Sequence, residues 1–61
     1  MPLVDYIIIR TAGGYVADHT TTPIELTPNI NLAEAWATAA ARNAVLATLG
    51  TGFEPGTRPK P

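Results

Sequence analysis

Apolar positions crowd the start of the chain. Residues 3–10, Leu-Val-Asp-Tyr-Ile-Ile-Ile-Arg, are mostly β-branched or aromatic types that suit a pleated, half-buried surface, and they predict a first strand. Alternation sets Val4, Tyr6 and Ile8 on one face and Leu3, Ile7 and Ile9 nearer the other. Both faces are apolar, which marks a central strand or one whose second face a partner covers. Gly13 and Gly14 then supply a tight turn, because glycine accepts the positive φ that short hairpins require. Tyr15-Val16-Ala17 returns as the second strand. Residues 18–22 are polar and rich in hydroxyls, a loop by composition. Pro23-Ile24-Glu25-Leu26 alternates with period two and is compatible with a short strand, Pro23 standing first where a missing donor is tolerated. Thr27-Pro28-Asn29 is a second turn signal.

Residues 32–49 admit two readings. Propensity favours one long helix, with Asn31 as N-cap, Glu34 completing a capping box and Gly50 ending it at C′. The other reading breaks the segment at Thr38. Ala35-Trp36-Ala37 is then a short strand, Thr38 the N-cap, and residues 39–49 the helix. In that version Ala41, Ala44, Val45, Thr48 and Leu49 form a narrow stripe suited to close packing on a sheet. The helix over 39–49 is common to both. Past Gly50, three prolines and three glycines in twelve residues predict neither ladder nor helix, so residues 50–61 read as a tail behind a domain of residues 1–49. Phe53 is the one residue there able to dock on the core.

Composition narrows the function classes. Sixty-one residues make one small domain, burying only about 60% of the surface the unfolded chain exposes. Ten residues are alanine, so much of the apolar fraction is methyl groups with little area. Without cysteine there are no disulfides, thiolate zinc sites or thiol nucleophiles, and His19 alone cannot form a multi-histidine metal site. Four basic side chains against five acidic ones, two of the four in the last four positions, do not make a nucleic-acid face. No apolar run approaches the ~20 residues that span a bilayer, and the opening Met1-Pro2-Leu3-Val4-Asp5 carries an acid where a secretory leader is basic. These features predict a soluble cytoplasmic chain that is not an enzyme and needs no cofactor or metal.

The side chains able to carry chemistry are few. Asp18-His19 beside Thr20, Thr21 and Thr22 has the residue types of an acid–base–hydroxyl set, but neighbours in a strand or turn point apart, so Asp18 does not orient His19 by adjacency. A polar loop whose hydroxyls cap turns accounts for them better. Gly13-Gly14 lacks the following helix and lysine of a phosphate-binding loop. Trp36 is expected in the core, whereas the hydroxyl of Tyr15 suits a rim position. Arg58 and Lys60 read as solvated charges between prolines. Tyr15, Asp18, His19 and Phe53 are left as candidate partner-binding residues.

The order of these features is also familiar. Tyr6-Ile7-Ile8-Ile9-Arg10, a glycine turn, Gly14-Tyr15-Val16 and a polar loop precede Thr27. Ile30, Ala33, Trp36, Thr38 and Ala41 then follow at three-, three-, two- and three-residue steps. Across roughly residues 4–49 this resembles small uncharacterised proteins of tailed-phage and prophage genomes. Those proteins carry an aliphatic-x-x-Ala-x-x-aromatic-x-Ser/Thr-x-x-Ala pattern before a final helix. Its alanine-rich helix departs from the Lys- and Glu-rich helix of that group. The resemblance favours the split at Thr38 and implies an α+β ββ(β)α domain, an antiparallel sheet with one C-terminal helix packed on it. It also implies an accessory protein of the bacterial host cytoplasm that binds and modulates or inhibits a host protein. The alternative is a minor structural or virion component that self-associates. The doubly apolar first strand adds the expectation of a homo-oligomer, a dimer in the simplest case.

Overall fold

The structure, a computed structural model, describes residues 3–60. The elements in order are β1 (Val4–Arg10), β2 (Tyr15–Asp18), β3 (Glu25–Thr27), a 3-10 turn (Ile30–Leu32), α1 (Ala39–Leu49) and β4 (Phe53–Pro59). The strands form one antiparallel sheet in the order β3-β2-β1-β4. With a single helix on that sheet, the chain is a small α+β domain. β1 is an inner strand, as its two apolar faces predict.

The hairpin turns at Gly13 and Gly14, both at positive φ, with Gly13 N donating to Arg10 O and Arg10 N to Gly14 O. Thr38 sits extended, and its Oγ1 accepts from Ala41 N at 3.1 Å, which starts α1 at Ala39 as the split reading expects. The long-helix reading fails because Asn29 caps the 3-10 turn instead of Asn31 capping a helix, and Ala33 turns back to extended backbone. Ala35-Trp36-Ala37 is not a full strand. Only Trp36 bridges β1, exchanging main-chain bonds with Tyr6 (3.1 and 2.8 Å), while Glu34 N donates to Val16 O at 2.9 Å. Residues 34–36 therefore fill the gap that opens where β2 leaves β1. The third regular strand is β3, from the period-two segment before Thr27.

The segment read as a tail is a strand. β4 pairs with β1 from Val4↔Pro59 to Arg10↔Phe53. Parity explains how prolines are accommodated. Tyr6 and Arg10 bond toward Trp36 and Gly14, so the odd residues of β1 bond toward β4; Thr11 N to Gly52 O and Lys60 N to Leu3 O keep the same phase. Glu54, Gly56 and Arg58 therefore make the ladder, and Pro55 and Pro59 turn their missing donors outward. Gly56 also makes room for Ile9: a Cβ there would meet Ile9 Cδ1 and lie 2.8 Å from Ile9 Cγ1, so that side chain would have to shift.

Both sheet faces are covered within one chain. α1 lies over the face of Tyr6 and Ile8, with Arg42 stacked on the Tyr6 ring at 5.3 Å and its Nη1 donating to Gly56 O at 2.8 Å. The expected helix stripe shifts accordingly. Arg42 is buried and Ala39, Val45, Leu46 and Leu49 are half-buried, whereas Ala41, Ala44 and Thr48 are exposed. A guanidinium reaches across the sheet where alanines could only have approached closely. On the opposite face Arg58, far from being a solvated tail charge, donates through Nη1 to Ile30 O (2.6 Å) and Ala33 O (3.0 Å). Its Nε lies 3.4 Å from Asp5 Oδ2. That clasp ties residues 30–33 across the face of Ile7, and Ile7, Ile8 and Val16 are all 0% exposed. The doubly apolar strand thus finds its second cover inside the chain.

Candidate functional site

Polar chemistry collects where β2 ends. Thr20 bonds Asp18 Oδ1 twice, through its main-chain N at 2.8 Å and its hydroxyl at 2.6 Å. The side-chain bond first and the backbone bond second hold the Asp18 carboxyl below the usual aspartate range. Thr21 closes the next turn, its hydroxyl bonding to Asp18 O and Pro23 O and accepting from Glu25 N. The loop hydroxyls cap turns, as their composition predicts.

His19 has a partner that its neighbours do not reveal. Glu34, fifteen residues on, accepts from His19 N at 2.9 Å, and His19 Nδ1 lies 2.8 Å from both its Oε1 and Oε2. A carboxylate only accepts, so Nδ1 carries the hydrogen in this contact. Trp36 adds a tilted aromatic contact, its ring 5.8 Å from the imidazole. Glu34 reaches His19 because residues 34–36 are pinned beside Val16 and Tyr6. Asp18, His19 and Glu34 each present a donor atom, and the three lie within 4.8 Å of one another.

The other candidate residues are placed differently. Tyr15 is half-buried inside the sheet, between Ile9 and Thr27. Phe53 is half-buried as the first residue of β4, paired with Arg10, so it is not an anchor on a mobile tail. Trp36 is half-buried over the His19 side of the sheet. Sequence reasoning missed Glu34, which the competing capping box had claimed. No spacing signal links it to His19, because the connection runs through β3 and the 3-10 turn.

Three large apolar side chains are exposed among the described residues: Leu3, at 70%, just ahead of β1, and two near this region. Leu26 is 40% and Leu32 66% exposed, one on each side of the Pro28-Asn29 turn. Among the described residues no concave pocket forms, and no helix is long and apolar enough to cross a membrane. Comparison with family models, curated proteins and solved structures finds no match to this chain.

Proposed function

We propose that this domain is a small protein-binding module, an accessory factor that attaches to a bacterial protein and modulates it. The observation that carries this reading is the pair Leu26 and Leu32, exposed on either side of one turn of a chain whose sheet faces are already covered. Exposed leucines at a rigid turn can seat in a partner's pocket with little ordering cost, because the surrounding loop is already bonded down. Asp18 and His19 border this loop and supply a polar rim.

The test is capture from a bacterial lysate with the full chain, beside a Leu26→Ser, Leu32→Ser variant. Any captured protein is then purified and titrated against both. Binding to one purified partner that weakens at least about tenfold in the variant is the expected result. Equal binding by both would remove the leucines from the interface. Failure to capture a partner, with the chain found instead in assembled phage particles, would favour a structural role.

A further inference from the structure

We propose that Asp18, His19 and Glu34 form a binding site for a divalent transition-metal ion, with zinc the best fit. The donors are one imidazole nitrogen and two carboxylates, brought from the end of β2 and from the bridge segment fifteen residues later. This mixed nitrogen–oxygen set suits zinc and its first-row neighbours. Calcium and magnesium prefer oxygen alone.

The spacing is within reach of what an ion requires. Two donors each about 2.0–2.2 Å from a tetrahedral zinc ion are about 3.3–3.6 Å apart. The three donors here lie within 4.8 Å of one another, so closing on an ion takes side-chain adjustments of roughly an ångström. Glu34 stays in place while this happens, because His19 N holds Oε1 independently of the ring. The ion takes the position of the Nδ1 hydrogen, which is released to solvent. Asp18 engages Thr20 through Oδ1, and among the described residues no hydrogen bond reaches Oδ2, leaving that oxygen for the ion. His19 and Glu34 side chains remain 29% and 26% exposed, so water can complete the coordination shell.

The composition makes the test clean. The chain has one histidine, no cysteine and one tryptophan, whose ring is 5.8 Å from the imidazole. An untagged chain therefore has no second imidazole or thiolate, and Trp36 reports on the site. Zinc is titrated into the full chain by calorimetry and by thermal melting, and copper(II) by Trp36 fluorescence. The expected result is saturable one-to-one zinc binding that raises the melting temperature, with matching saturable quenching by copper. His19→Ala and Glu34→Gln should each weaken zinc at least about tenfold. If either variant does not fold, Asp18→Asn, which keeps the Thr20 bonds, carries the comparison. No saturable binding at millimolar zinc, or the same affinity in every folded variant, would overturn the site.

Discussion

Asp18 shows how a single side chain couples the loop to pH. Its Oδ1 is bonded by the Thr20 hydroxyl and main-chain N–H, and both bonds favour the ionised form, so its folded pKa lies below the ordinary value. A depressed carboxyl pKa adds stability that is full above the unfolded value, near pH 4, and is lost as pH falls through the lowered folded value. Asp18→Asn keeps an acceptor for Thr20 but cannot titrate. The variant should therefore melt with a flatter acid limb below about pH 4 than the parent, and an unchanged limb would show that Asp18 does not contribute there. The turn-capping role of these residues was legible from the threonine run itself. The His19–Glu34 contact was not, because side chains fifteen residues apart meet only once the bridge at Trp36 has been fixed. Arg42 was hidden for a related reason. A charged residue within an alanine-rich helix reads as solvated until a facing strand offers a carbonyl such as Gly56 O.

At the level of elements, local signals located β1 and the glycine hairpin, each set by residues adjacent in sequence. They offered Thr38 as one of two starts for the helix, the resemblance favoured it, and α1 begins there. β4 escaped because glycine and proline content was weighed without parity. The prolines at 55 and 59 share one phase, and an edge strand needs ladder donors only in the other. This gives a paired prediction. Glu54→Pro places the missing donor on the side facing Ile9 and should cost about 3 kcal/mol or more, on the scale of a proline that removes a backbone bond. Thr57→Pro places it outward, beside Pro55 and Pro59, and should cost less than about 1 kcal/mol. Urea denaturation of both variants measures the difference. Equal losses would mean that the ladder does not have this phase.

For the whole molecule, the decisive quantity is how much apolar surface a 61-residue chain hides without help. A domain this small is marginal, and a strand apolar on both faces would ordinarily call for a second copy. Here α1 covers one face and residues 30–33, clasped by Arg58, cover the other, leaving Ile7 and Ile8 fully buried in a single chain. The β4 edge lacks outward donors at Pro55 and Pro59, and β3 at the other edge is only three residues long. Edge-to-edge pairing therefore has little to build on. Sedimentation of the untagged chain at micromolar concentration should give a single 6.4 kDa species. A dimer would contradict this, and its location would then be sought first at Leu26 and Leu32, two of the three exposed leucines. Repeating the run with the Leu26→Ser, Leu32→Ser variant separates the two cases. A dimer that dissociates in the variant would place self-association on the surface assigned to a foreign partner, whereas one that persists would place it on the sheet edges and refute the closure argued from parity.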